Sequence, residues 1–484
     1  MMKKEEIKKD FDLRCGLEIH QQLDTNKLFC NCPSILRQDV PNYTIKRKLH
    51  LVAGEEGEVD IAAKHESMKE KSFIYECYYY NVCLVDLDEE PPREINQEAL
   101  KIALQISLLL NCEILQNTQI MRKIVIDGSN VSGFQRTVLI AKNGYVDTDF
   151  GKVRIAKVIL EEDAARIIKE EKNYRIYRLD RLGIPLVEIT TYPDIKNAQQ
   201  AKQVALKIGE ILRACKVKRG LGTIRQDINM SVNVDGKQGA RIEIKGVQEP
   251  DLIEKTILRE IERQKKLIRE NKSKEEVKKA LKDGTTEFLR PLPGASRMYP
   301  ETDLPLLHIS RDFINKIKEN LPKLKSEIKS ELEKKGLHKE LIKELLEEKR
   351  IEDFEELLAV YNNPELIAKM LTVWRKEIEK KTNKSTKILT LDVLETIIQA
   401  LQSKKINESD VKIIMEEIVL GKSVNEALKR EKIENIEEEI LKIIKEKPGL
   451  TINAYMGLVM SKFKGKINGK EAYEIIKTLL NKKS

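Results

Sequence analysis

Aromatic residues and long apolar runs are what this sequence has least of. Phe, Trp and Tyr make up 5% of its 484 residues, with a single Trp, so its cores must be built from aliphatic side chains. No apolar run approaches the roughly 18 residues that a membrane helix needs. The charged first ten residues hold no apolar signal core, which points to a cytoplasmic protein with no membrane association. Histidine is scarce, five in all, and none forms the H-E-x-x-H pair of zinc hydrolases. Seven cysteines (Cys15, Cys30, Cys32, Cys77, Cys83, Cys112 and Cys215) without a secretion signal read as thiols or metal ligands rather than disulfides. The surplus of 88 Lys and Arg over 79 Asp and Glu gives +9, too little by itself to identify a nucleic-acid binder. No complete P-loop is present, because Gly421-Lys422-Ser423 has Glu416 where the first glycine belongs. A nucleophile elbow and a dinucleotide fingerprint are also missing. Any ATP chemistry must use a different cradle.

What is present divides by texture. The length calls for two to four domains. From Phe11 to Pro305 short alternating strands mix with Gly and Pro punctuation and a few helices. From His308 onward the chain is rich in Lys and Glu and helical in period. A second break falls in the polar stretch Lys380–Thr390. The expected class is α+β: a mixed or antiparallel sheet domain over residues 1–305, a helical domain over 306–385 and a small helical tail over 386–484. The clearest early helices are Glu98–Cys112, Ala198–Cys215 and Leu252–Asn271. In the second, Val204, Ile208, Ile211, Leu212 and Cys215 form one apolar stripe, with Asp194 placed to complement its N-terminus.

The strands carry the chemistry. In Phe11–His20 the apolar residues occupy the odd positions, so Glu18 and His20 share the other face. This is either half of a divalent-cation site or a surface Glu beside a hydrogen-bonded His. Glu161-Glu162-Asp163 ends another strand-like run, and three consecutive acids repel unless a cation offsets them. Glu188 sits in the otherwise apolar Gly183–Ile189. Pooled, Glu18, His20, Glu162 and Glu188 are a hard, oxygen-rich set that favours Mg²⁺ over zinc. In Thr223–Asp235 and Ala240–Lys245 alternation exposes Arg225, Asp227, Asn229, Arg241 and Lys245 around an Asp235-Gly236 turn. That row is either a phosphate-binding face or a solvated surface of cross-strand ion pairs.

Several motifs are together recognisable. Gly16-Leu17-Glu18-Ile19-His20-Gln21-Gln22-Leu23-Asp24-Thr25 with Lys27-Leu28-Phe29-Cys30-Asn31-Cys32 resembles the opening signature of the glutamyl-tRNA(Gln) amidotransferase B/E family. Asp127–Thr137, Leu160–Arg166, Arg290–Asp303 and Ala454–Met460 resemble later stretches of that family, in the expected order. The run Arg290-Pro291-Leu292-Pro293-Gly294 is similar to the archaeal E type rather than to the bacterial B type. The resemblance implies a cradle-shaped catalytic domain, a helical domain and a tail that holds tRNA. It implies a ligase reaction in which ATP and Mg²⁺ phosphorylate the side-chain carboxylate of Glu misacylated onto tRNA(Gln), and ammonia displaces the phosphate. The Mg²⁺ ligands it implies are His20, Glu162 and Glu188, with Glu18 beside them. ATP and substrate contacts are expected on the face of Arg225, Asp227, Asn229, Arg241 and Lys245. The implied partners are Glu-tRNA(Gln) and an asparaginase-like, D-type amidotransferase chain that supplies ammonia in a hetero-oligomer. A tRNA-binding scaffold with a vestigial metal site is the alternative, one with no need of the full acidic set.

The chain departs from the E type in one respect: a large insertion resembling a domain of aspartyl-tRNA synthetase is missing, and only the polar stretch Asn271–Thr286 stands in its place. The cysteines also resemble a family pattern, a zinc site formed by two pairs. Cys30, Cys32 and Cys83 match it, and Cys77 would be the fourth ligand although its spacing is poor. The alternative is reduced, buried thiols.

Overall fold

The alternation of residues 11–20 becomes the central strand of a large sheet. The computed structural model describes residues 11–48, 72–125, 127–220, 222–292, 298–429, 436–463 and 469–481. Residues 1–10 and Pro293 to Arg297 of the arginine-proline motif lie outside them. Ten strands follow the main path of a twelve-stranded sheet. They are β1 (Phe11–Gln22), β2 (Ile120–Ile124), β3 (Phe134–Thr148), β4 (Gly151–Glu162) and β5 (Pro185–Thr191). The rest are β6 (Ile224–Val234), β7 (Ile242–Lys245), β8 (Glu276–Ala280), β9 (Thr286–Pro291) and β10 (Met298–Pro300). Their spatial order is β9-β8-β7-β6-β1-β5-β4-β3-β2-β10, antiparallel except between β7 and β8. The fold is α+β, as expected.

One face of this sheet is covered by helices and the other is left for chemistry. Leu13, Cys15, Leu17 and Ile19 of β1 join a core with inward residues of α1 (Gln97–Leu109), α2 (Ala198–Ala214), α3 (Pro250–Arg269) and α4 (Arg311–Glu319). The stripe of α2 is buried as its spacing predicts. Its N-cap is Asn197, whose side chain accepts from Gln200 N–H at 2.7 Å. Asp194 instead takes a two-pronged bond from Arg154, 2.8 Å at each oxygen, because a planar guanidinium fits a carboxylate better than one amide does. The hairpin turn is at Asp235 and Gly236, both with positive φ, so that Val234 pairs with Lys237. The polar stretch 271–286 is not a bare linker: β8 and β9 extend the sheet there. A separate four-stranded sheet (Tyr43–Arg47, Ser72–Cys77, Tyr174–Arg178, Arg166–Glu170) packs Tyr75, Tyr177 and Phe73 into its own core.

The chain divides into two compact units at Leu324/Lys325, downstream of the expected 305. Leu304, Ile309, Ile314 and Ile317 belong to the first unit's core, which carries the division past α4. In the second unit one helical core runs from Leu332 to Ala427, so the break expected at 386 falls inside it. A smaller core of Ile440, Ile444, Tyr455, Val459 and Ile476 forms a separate cluster. Among the described residues no helix is long and apolar enough to cross a membrane.

The tightest close approach in the large sheet is at Gly144 of β3. A Cβ there would lie 2.3 Å from Cys112 Sγ and 2.5 Å from the Leu110 carbonyl. Gly144→Ala must therefore push α1's exit turn off the sheet edge. Urea unfolding should show a loss of about 1–3 kcal/mol, whereas alanine at Gly457, which has nothing within 4 Å, should leave the midpoint unchanged or raised.

Candidate active site

Because β1 is central, its outward residues meet those of both neighbours. The register sets His20 opposite Glu188 of β5, and sets Glu18 opposite Asp227 and His20 opposite Arg225 of β6. One strand further out, Glu161 of β4 lies opposite Leu186 of β5. His20 Nε2 is 3.6 Å from Glu18 Oε1, 3.8 Å from Glu161 Oε1 and 3.6 Å from Glu188 Oε2. Two donor sets result, His20–Glu161–Glu188 and Glu18–His20–Asp227, each with its atoms within 4.8 Å of one another.

The electrostatics are those of crowded, poorly hydrated acids. Burial raises Glu161 above the ordinary carboxylate range. Burial and the charge of Glu188 do the same to Glu18. Burial works against ionised Glu188 as well, but the His20 hydrogen bond and Lys157, 2.9 Å away, outweigh it and hold the carboxyl low. His20 is raised: burial opposes its charge, but Glu188, Glu161 and Glu18 together prevail. Glu161 Oε2 is buried with no hydrogen-bond partner among the described residues, and Lys123 Nζ stands 3.9 Å off. An orphaned carboxylate oxygen inside a ring of hard donors is the arrangement that a divalent cation relieves.

A cavity of about 400 Å³ lies over this face, with Lys123, Arg225 and Lys245 among its walls. Lys245 Nζ is 2.8 Å from Asp227 and also pairs with Glu243. Arg225 Nη2 is 2.9 Å from Asp163 Oδ1. The walls thus offer cations to phosphate oxygens while the floor offers carboxylates to a metal.

The acidic run is split three ways. Glu161 joins His20, and Asp163 accepts from Gln22 at 2.7 Å as well as from Arg225. Glu162, expected beside His20, faces the other way and accepts from the Arg136 backbone N–H at 3.1 Å. Arg136 also binds the buried Glu301 at 2.9 Å, and Glu301 in turn pairs with Arg122. Successive residues of a strand point to opposite faces, so Glu161 and Glu162 cannot both reach His20. Of the five residues expected on the hairpin face, Arg225, Asp227 and Lys245 line the cavity; Asn229 and Arg241 do not. Arg241 is exposed and precedes the point at which β7 begins to pair. Lys123, Gln135 and Glu161 were missed: nothing local in the sequence ties β2 or β3 to His20.

The cysteine cluster also differs from expectation. Cys30, Cys32 and Cys83 are joined by Asp86, all four ligand atoms lying within 4.8 Å. Cys77 is excluded because it alternates into the core of the small sheet, where its Sγ lies 3.6 Å from the Tyr75 carbonyl. The spacing Cys83-x-x-Asp86 is the signal that a search for cysteines alone passes over. The hydrogen bonds among the thiols lower Cys83 and raise Cys30, and burial lifts Asp86 to about 6. The fully buried Lys27 donates to Asp86 at 3.1 Å.

Comparison with known proteins agrees with this geometry. Residues 13–315 match the GatB/GatE catalytic domain and residues 352–480 match the GatB domain. Similar proteins include the E subunit of the glutamyl-tRNA(Gln) amidotransferase of Methanocaldococcus jannaschii, 37% identical over 623 residues, covering 97% of this chain and 98% of the relative. The corresponding E subunit of Thermococcus sibiricus is 35% identical over 628 residues, covering 98% and 99%. Both alignments are longer than the 484 residues of this chain, so these relatives carry residues that it lacks. With the catalytic-domain match spanning the sheet that holds His20, Glu161 and Glu188, the chain belongs to the GatB/GatE family.

Proposed function

We propose that this chain is the E-type component of an ATP-dependent glutamyl-tRNA(Gln) amidotransferase, converting Glu-tRNA(Gln) to Gln-tRNA(Gln). The observation that carries the reading is the convergence of His20, Glu18, Glu161 and Glu188 under a cavity walled by Lys123, Arg225 and Lys245. In the reaction the side-chain carboxylate of the misacylated Glu attacks the terminal phosphorus of ATP and ADP leaves. Ammonia then displaces phosphate from the acyl phosphate. Nothing in the sequence resembles an amidase or asparaginase nucleophile, so ammonia comes from a partner, by resemblance the asparaginase-like D-type chain. Arg225 and Lys245 hold phosphate oxygens, and their pairing with Asp163 and Asp227 fixes their direction. Mg²⁺ fits the site: His20, Glu161 and Glu188 would hold it, with Glu18 and Asp227 at its margin. When bound it supplies the positive charge that lets an anionic carboxylate approach a triphosphate.

The Glu161 assignment is tested against Glu162. Glu161→Gln should lower ATP cleavage dependent on Glu-tRNA(Gln) by about 10²-fold or more, with tRNA affinity retained. Glu162→Gln should keep most of the activity and instead lower stability by about 1–3 kcal/mol, since Arg136 loses one of its two buried carboxylate partners. The reverse pattern would overturn the assignment.

We propose also that Cys30, Cys32, Cys83 and Asp86 hold a structural zinc ion. Three thiols and a carboxylate, their ligand atoms within 4.8 Å of one another, fit it. Purified protein should contain close to one zinc per chain by elemental analysis. Cys32→Ser should lose it and unfold at lower temperature, whereas Cys77→Ser should keep it. Equal zinc content in both variants would rule out this ligand set.

The helical tail, in this reading, carries tRNA affinity and no chemistry. A chain ending at Lys429 keeps the larger helical core whole and removes the smaller one. With the ammonia-supplying partner present, it should show a raised KM for Glu-tRNA(Gln) and nearly unchanged kcat. Loss of ATP cleavage at saturating tRNA would mean that the tail helps to build the active site.

A further inference from the structure

The helical unit contains a buried guanidinium that no carboxylate among the described residues pairs with directly. Arg375, on the helix Val373–Thr382, is 8% exposed. Its Nη2 donates to the Leu389 carbonyl. Among the described residues Nε has no hydrogen-bond partner and no carboxylate lies within ion-pair distance of the group. Burying an unpaired charge is among the most costly arrangements in a protein, and it persists where something supplies the missing partner.

Arg375 lines a cavity of about 420 Å³ together with Arg350, Lys376 and Lys387. Two carboxylates also line it, but both are engaged. Glu348 pairs with Lys376 at 2.8 Å, and Glu379 accepts from the backbone N–H and hydroxyl of Thr386 at 2.8 and 2.9 Å. Arg350 is partnered by Asp353 at 2.6 Å. Lys387 is exposed and has no ion-pair partner among the described residues. Thr390 at the cavity wall caps the helix Leu391–Gln402, whose positive end adds to the field. Burial, and then the neighbouring Arg350, depress the Arg375 guanidinium from its ordinary value, and the more distant charges of Asp353, Glu348 and Glu379 offset this only in part.

We propose that this cavity binds a tetrahedral oxyanion, a phosphate group held by Arg375 at its floor and by Lys387 at its rim. The size and the planar, multi-donor chemistry of arginine suit phosphate better than a single carboxylate. The phosphate comes either from the backbone of a bound RNA or from free inorganic phosphate. This site is remote in chemistry from the ATP-using reaction, and its test does not depend on catalysis.

The only tryptophan of the chain, Trp374, precedes Arg375 on the same helix and packs against the helical core, so its emission is a local probe of that helix. In the full-length protein, replacing chloride by inorganic phosphate at constant ionic strength should change Trp374 emission saturably. Arg375→Met should abolish the response. Lys387→Glu, on an exposed side chain that the fold does not need, should weaken it about tenfold. A tRNA transcript then separates the sources. If Lys387→Glu weakens tRNA binding and lowers the slope of log K against log salt by about one, the phosphate belongs to RNA. Unchanged tRNA binding with the phosphate response intact in the unmodified chain assigns the site to free phosphate. No saturable response in the unmodified protein, or a response with the same midpoint in both variants, would overturn the proposal.

Discussion

Three carboxylates and an imidazole are held within 4 Å contacts on the middle of a sheet, and much of the first unit follows from the need to tolerate that. Like charges so close raise one another's proton affinity. Lys157 and Lys123 reach in from the flank, and Lys245 from the other side, to offset part of the repulsion. The sheet supplies the rigidity: β1 is hydrogen-bonded on both edges, and four helices cover its back. A site built on central strands moves less than one built on loops, which phosphoryl transfer requires.

The second ionic network lies on the opposite side of β4. Arg136 bridges Glu162 and Glu301, Arg122 completes the set, and Phe134 stacks under both guanidiniums. Removing one carboxylate from such a buried set leaves its arginines less compensated and typically costs about 1–3 kcal/mol. The network ties the segment after the arginine-proline motif to the strand that presents Glu161. Residues of a recognised motif therefore serve two ends: some face the cavity, and others fasten the strands that do.

The polar stretch 271–286 is structured rather than a bare linker. It adds a short parallel strand, β8, to the sheet, with β9 as its antiparallel partner at the edge. Lys278 is buried there and Val277 fully so, so this edge is part of the folded unit. The donor set and the cavity walls come from β1 to β7 and the turns that follow them, and neither β8 nor β9 lines the cavity.

How much was legible in the sequence depended on range. Period-two alternation placed Glu18 and His20 on one face, and the helical stripe of α2 was readable, because each depends on neighbours a few residues away. The family resemblance supplied the reaction. Glu161 was not legible, for a specific reason. Val153 and Ile155 face the core, and continuing their alternation puts Glu161 inward. The pairing slips between Thr190 and Thr191, opposite Lys157 and Ile155, and leaves Ala156 as an extra residue. The phase changes there, so Val158 and Leu160 enter the core and Glu161 emerges beside His20. Asp86 in place of Cys77 and the unpaired charge of Arg375 are likewise products of chain packing. Local sequence determined which residues share a face; only the tertiary structure decided which faces meet, because register and bulges are settled between strands far apart in the chain.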